Sequence, residues 1–249
     1  MTTALTDAAA TLLHTLHEAP DAAGAWVYDG EVFPRGVAAP DTAMLFSYQR
    51  RVRETPDGLG ASHITRDGRL PGGAPIIVES ARMGSDYTLR RFDAVNGQQG
   101  FSGSVEVSAD GRQLHYRLQR GSRLRESTER IDAPAVSGPS LHGHILAHWD
   151  ALAAGEVSTV RMIVLAQRTS YAFQIRQDPA AARGRRAFTI TPARWWVRLA
   201  VAPLRVAFDE STRQVLRYEG RVPPLRAVRG RLKAFDACVN YPRHAAHYR

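Results

Sequence analysis

His142, His144 and His148 are the nearest approach in this sequence to a metal motif. His144 and His148 stand four apart, so on a helix their rings share one face and can converge on one ion. No third ligand is identifiable, because Asp150 would project from a different face. Histidines at the border between an apolar stripe and solvent are the more ordinary account of this spacing, and no metal site is assigned. The carboxylates Asp209, Glu210 and Glu219 form a second candidate, since paired acids serve acid–base chemistry where environment separates their pKa values. Asp209-Glu210 reads as a turn, where carboxylates bond backbone amides instead. A third candidate is Arg194-Trp195-Trp196-Val197-Arg198-Leu199. Two indoles between arginines can stack on bases, enter a lipid interface or line a pocket. They can equally close a sheet, and Pro192 and Pro203 limit any regular run.

Standard catalytic signatures are missing. There is no P-loop, no G-x-G-x-x-G after a strand, no G-x-S-x-G elbow, no H-E-x-x-H and no C-x-x-C. Gly100-Phe101-Ser102-Gly103 opens a β run and not a helix, so it is no nucleophile elbow. Cys238 is the sole cysteine, which excludes an internal disulfide and any multi-cysteine metal site. In its alternating run it reads as a small buried hydrophobe. No catalytic residue and no cofactor is assigned.

The elements that must position these residues are mostly strands. Leu114, Tyr116 and Leu118 alternate with His115, Arg117 and Gln119, and Tyr171, Phe173 and Ile175 with Ala172, Gln174 and Arg176. Leu204, Val206 and Phe208 repeat the pattern. A period of two places one face on a core and leaves the other wet, as antiparallel sheets allow. Asp57-Gly58, Asp67-Gly68, Asn96-Gly97 and Asp110-Gly111 supply hairpin turns between these runs. About eleven strands are expected over residues 43–241. Val160, Met162 and Val164 alternate with Ile163 and Leu165, which predicts a central strand buried on both faces. One internal helix is expected over 140–154, capped by Ser140, with the stripe Leu141, Ile145, Trp149 and Leu152 and Gly155 beyond its end. Leu5, Ala9, Leu12, Leu13 and Leu16 predict an N-terminal helix over residues 1–20 that packs on its own domain.

Composition fixes the broad class. With 249 residues, 44% hydrophobic and 23% charged, the chain suits one globular domain spanning 1–249. Residues 1–50 hold two basic and six acidic side chains, whereas 183–249 hold fifteen basic and four acidic. A basic terminal third can face phosphate or lipid head groups, although a solvated arginine surface gives the same composition. No stretch approaches the ~20 apolar residues of a membrane-spanning helix. The first 20 residues lack a basic n-region, so the chain as written reads as cytoplasmic, or periplasmic if a leader has been removed.

Residues 145–156, Ile-Leu-Ala-His-Trp-Asp-Ala-Leu-Ala-Ala-Gly-Glu, read as a helix ending in Gly and leading into a strand. Residues 206–220, Val-Ala-Phe-Asp-Glu-Ser-Thr-Arg-Gln-Val-Leu-Arg-Tyr-Glu-Gly, read as strand, tight turn and strand. In order and type of elements, residues 43–241 resemble uncharacterised bacterial half-barrel proteins related to lipoprotein-localisation carriers (LolA-like). The resemblance implies a mainly β, lipocalin-like or LolA-like half-barrel. Its strongly curved antiparallel sheet would wrap a helix, with an apolar concave face that holds lipid or another hydrophobic ligand.

The expected function is therefore binding of a hydrophobic or amphipathic small molecule. Phe46, Tyr48, Phe188, Trp196 and Tyr218 are the side chains expected to line its site. A cofactor-independent isomerase or cyclase on the same scaffold is the alternative, with His144, His148 and Glu219 as first acid–base candidates. Binding of an anionic surface through the basic third is another. Nucleic acid is disfavoured as a partner, a membrane surface is not, and the oligomeric state is open.

Overall fold

The computed structural model describes residues 25–36, 44–68, 73–195, 197, 201–241 and, for the backbone only, 246–248. The expected N-terminal helix and Trp196 lie outside the described residues. The first half is a meander of eight strands: β1 (Ala25–Pro34), β2 (Phe46–Thr55), β3 (Gly58–Asp67), β4 (Pro75–Met83), β5 (Leu89–Asn96), β6 (Phe101–Val107), β7 (Gln113–Arg120) and β8 (Arg123–Arg130). A short β9 (Ala135–Val136) leads into helices α1 (Gly138–Ala147) and α2 (Trp149–Ala153). Then follow β10 (Ser158–Val164), β11 (Thr169–Asp178), β12 (Arg185–Pro192), β13 (Leu204–Asp209) and β14 (Val215–Arg221). The chain closes with β15 (Arg226–Val228), β16 (Arg231–Lys233), β17 (Asp236–Asn240) and β18 (Ala246–Tyr248).

Sixteen of these strands form one sheet, in the order β8-β7-β6-β5-β4-β3-β2-β1-β17-β14-β13-β12-β11-β10-β9, with β18 also paired to β1. Every pairing is antiparallel except β9 with β10. Among the described residues the path has two free ends, so the sheet is unclosed. It begins earlier than the expected residue 43, because β1 belongs to it. Asp29, Gly30 and Glu31 hide the alternation of β1 from a sequence reading. Gly30 is there for space: a Cβ would lie 2.9 Å from Val239 and 3.0 Å from the Tyr241 ring.

The register shows how the sheet curls. Val160 and Met162 of β10 face the helices, together with Val32, Phe173, Ile175, Phe188 and Val206. On the opposite face of that end, Ile163 and Ala135 pack against Phe92, Val105, Leu114 and Tyr116 from the concave face of β5–β7. The β9–β10 end is thus rolled inside the β5–β8 end, like a scroll. This corrects the expectation of a central position for residues 160–165. The strand is buried on both faces because it lies between two layers, although it is next to last in the sheet.

The internal helix also differs from expectation, being two helices that meet at His148. His148 has φ −108° and ψ 19°, outside helical geometry, and its Nδ1 lies 2.9 Å from the His144 carbonyl that it can bond. Ser137 takes the cap position. Ser140 sits three residues on, and its Oγ accepts from the Ser137 amide at 2.8 Å. Ser140→Ala should therefore lower stability by about 1 kcal/mol in urea unfolding, the usual worth of such a terminus bond. The stripe Leu141, Ile145, Trp149 and Leu152 is buried in the larger core, so both helices pack against the concave side of the sheet. No helix among the described residues is long and apolar enough to cross a membrane.

Candidate functional site

The concave face of β1–β4 carries polar groups where the rest of that face is apolar. Cross-strand register aligns Tyr28 with Arg50, Arg50 with His63, and His63 with Glu79. Arg50 and His63 are buried, and 13% of the Glu79 side chain remains accessible to water. Each belongs to an inward row of its strand: Phe46, Tyr48, Arg50 on β2, and Ile77, Glu79, Ala81, Met83 on β4. The outward face of β3 and β4 is buried too, at Ile64 and Val78, which removes the wet face that alternation would need.

Neighbouring rings complete the cluster. Tyr48 Oη and His63 Nδ1 share a short hydrogen bond. Glu79 Oε2 lies 4.0 Å from the same nitrogen, beyond hydrogen-bond range. The Arg50 guanidinium stands 5.4 Å from the centre of the Tyr28 ring, which meets Tyr241 edge-on. From α1, the His142 ring lies 6.4 Å from His63 and 5.9 Å from Phe208. The first turn of α1 roofs the pair: a Cβ on Gly138 would sit 3.5 Å from Glu79 Oε2 and 3.7 Å from His63 Nδ1.

Burial sets the protonation states. It pushes the Glu79 carboxyl up to about 7. It drives His63 well below the usual histidine range, helped by Arg50 and His142, and does the same to His142 with help from Arg50. The Tyr48 phenol is raised well above its ordinary value, chiefly by burial. Near neutral pH the cluster therefore holds two neutral imidazoles, one guanidinium and one carboxyl close to its titration point. Arg50 Nε, His63 Nε2 and His142 Nδ1 are buried without a hydrogen-bond partner. Such atoms cost about 1–3 kcal/mol each when left unmet. Chemically, the arrangement offers a cation for an anionic group, two free imidazole nitrogens, and a carboxyl able to give or take a proton at neutral pH. No group of three or more His, Cys, Asp or Glu side chains among the described residues is placed to hold a metal ion.

Of the five aromatic residues expected at the site, the four that are described distribute as follows. Phe46, Tyr48 and Phe188 are buried in the larger core, and Tyr218 packs against it half-buried. Tyr48 touches the polar row directly, through His63. Phe188 is enclosed by Trp149 and Phe208 at 5.3 and 6.0 Å between ring centres. Tyr218 donates to the Arg221 carbonyl at 2.6 Å.

The acid–base candidates are dispersed. His144 and His148 stack at 4.2 Å between ring centres, and His144 Nε2 lies 2.9 Å from Ser158 Oγ. Glu219 pairs with Arg205 and Cys238 in the register, on the convex face, and accepts from Arg217 at 2.6 Å. Asp209 is a turn residue, held down to about 2 by bonds from Ser211 and Thr212. Burial pushes the Cys238 thiol up to about 11, well away from a reactive thiolate. Sequence reasoning missed Arg50, His63, Glu79 and Tyr241. The available signal was an arginine continuing the parity of Phe46 and Tyr48, and a glutamate inside the row Ile77, Ala81, Met83.

A separate cleft of about 500 Å³ opens where the β6–β7 turn meets the β8–β9 link. Leu89, Val107, Ile131 and Pro134 give it an apolar wall, and its charges, Arg112 and Arg130 against Asp110 and Asp132, balance. Phe46, Tyr48, Phe188 and Tyr218 do not line it.

The chain matches no protein-family model and no curated protein. Among solved structures it is similar to a β-barrel-like protein of domain of unknown function DUF1849 from Brucella abortus, with a TM-score of 0.38 and 8% identity. The match covers 87% of this chain and 93% of that one. The present fold is a mainly β arrangement built on one unclosed sheet.

Proposed function

We propose that the concave face binds one small amphipathic molecule, its polar end at Arg50, His63, Glu79 and His142 and its apolar part along Phe46, Tyr48 and Tyr218. Phe188 stiffens the wall behind them, and Trp196 is proposed as a further aromatic contact. The observation that carries this reading is the set of three partnerless buried nitrogens gathered on one patch of an otherwise apolar surface. A core built for stability alone gains by replacing them with packed hydrocarbon, whereas a ligand with an acidic or amide group gives them partners. The resemblance to lipoprotein-localisation carriers supports the same use of the concave face. Native mass spectrometry of the purified chain should recover a bound small molecule that is absent from the Arg50→Met/His63→Leu double variant. Failure to recover any from several expression hosts would remove the proposal.

A second reading is cofactor-independent proton transfer on the same ligand. It is favoured by Glu79 titrating at about 7 beside His63.

A further inference from the structure

We infer that the β15–β16 hairpin is an arm that docks the protein on an anionic lipid surface. This inference is independent of the concave site. Among the described residues the two strands pair only with each other, with Arg226 opposite Lys233, Ala227 opposite Leu232 and Val228 opposite Arg231. All nine residues from Arg226 to Ala234 are exposed. An isolated two-stranded hairpin is marginal in water, so this one must be held at its base. It is. Gln98 donates to the Leu225 carbonyl at 3.1 Å and accepts from its amide at 2.7 Å, while Phe235 at the other foot packs on Phe46.

Four cations, Arg226, Arg229, Arg231 and Lys233, stand on the arm, and no acidic residue occurs between Arg221 and Asp236. No ion pair among the described residues engages any of the four. Arg229 and Gly230 form the tip with φ 51° and 73°. Tips of this geometry favour asparagine followed by glycine, so the arginine puts a cation at the turn of the arm against backbone preference. Two aliphatic side chains accompany the charge, Leu232 at 50% exposed and Val228 at 38%, on opposite faces of the ribbon.

The combination fits a bilayer of acidic lipids. Cations meet the head groups while the tip aliphatics enter the acyl boundary. A nucleic-acid duplex would take the same cations at its phosphates but offers the exposed Leu232 and Val228 no apolar layer, which a bilayer boundary does.

Co-sedimentation of the full chain with vesicles tests the inference. Binding is expected to equimolar phosphatidylcholine–phosphatidylglycerol vesicles, to weaken with salt, and to be absent with phosphatidylcholine alone. Each arm cation removed should weaken it about fivefold, so Arg229→Ser/Arg231→Ser should weaken it roughly 25-fold. Leu232→Ser should weaken binding while leaving its salt dependence unchanged. Thermal unfolding should be the same for all three proteins, since the arm is outside the core. Failure to bind acidic vesicles, equal binding to neutral ones, indifference to the arm substitutions, or retention by duplex DNA without retention by vesicles would each overturn the inference.

Discussion

Replacing Glu79 by glutamine should stabilise the protein by about 3 kcal/mol at pH 8, and the gain should vanish as pH falls to about 4.5. The carboxyl titrates at about 7 when folded against 4.5 for the free side chain, because burial disfavours its charge. Between those values the unfolded chain has lost the proton and the folded one retains it. Stability therefore falls as pH rises through this window, by about 1.4 kcal/mol for each unit of separation. Above the window the folded protein carries a buried carboxylate at full cost, and glutamine keeps the shape without the charge. The buried histidines act in the opposite sense. His144 is lowered to about 4 by burial and by His148, and His63 and His142 are lowered well. Their contribution is lost as pH falls below 6.5, where only the unfolded chain takes up protons. Comparing Glu79→Gln with the parent across pH by chemical unfolding isolates the carboxyl from these terms. A stability difference that does not change between pH 4.5 and 8 would contradict the assignment of Glu79 to a desolvated site. If the variant also loses the small molecule seen in native mass spectra, the energetic cost is tied to binding.

Glu129→Ala should lower stability by about 3 kcal/mol and Tm by roughly 6–12 °C, because it unpins the scroll. Glu129 projects from the β8 end onto the reverse face of β10 and β11. Its Oε1 accepts from Arg161 at 2.8 Å and from Ser170 Oγ at 2.9 Å, and its Oε2 accepts from Tyr116 at 2.8 Å. The pair is mostly enclosed, with 17% of the Arg161 side chain and 20% of the Glu129 side chain exposed. Truncation leaves the guanidinium with only the distant Asp132 carboxylate at 3.9 Å and with its bonds to Ser170. Among the described residues no backbone ladder joins these two ends of the sheet, and side chains do so. An Arg161→Met/Glu129→Leu double variant should recover much of the loss, since replacing both partners removes the uncompensated charge. A shift in Tm below about 2 °C for Glu129→Ala would mean that the apolar layer alone keeps the roll shut.

Most of the strand pattern was legible because a half-buried strand alternates. Leu114, Tyr116 and Leu118 are buried and their neighbours His115 and Arg117 are exposed, as read. The Asp-Gly and Asn-Gly pairs fall at strand ends, and Gly58 and Gly111 take the positive φ that suits tight reversals. The helical stripe from Leu141 to Leu152 was legible too, although the break at His148 was not. At that break the His148 ring stacks on His144, a contact that spacing alone does not reveal. The candidate site was the least visible part. His63 and Glu79 are sixteen residues apart in sequence and neighbours only through the β3–β4 register. The apolar Ile64 and Val78 beside them erase the alternation that would have marked them as facing inward.

The sequence by itself determined strands, turns and a helical face, since these follow from periods of two and near four and from the backbone preferences of a few residue types. The tertiary structure alone decided which polar residues meet. A curled sheet brings Arg50, His63, Glu79 and His142 to one patch and sends Glu219 to the opposite face. It also decided that the two ends of the sheet overlap, because that contact is a packing of faces between strands distant in the chain, and no local preference encodes it.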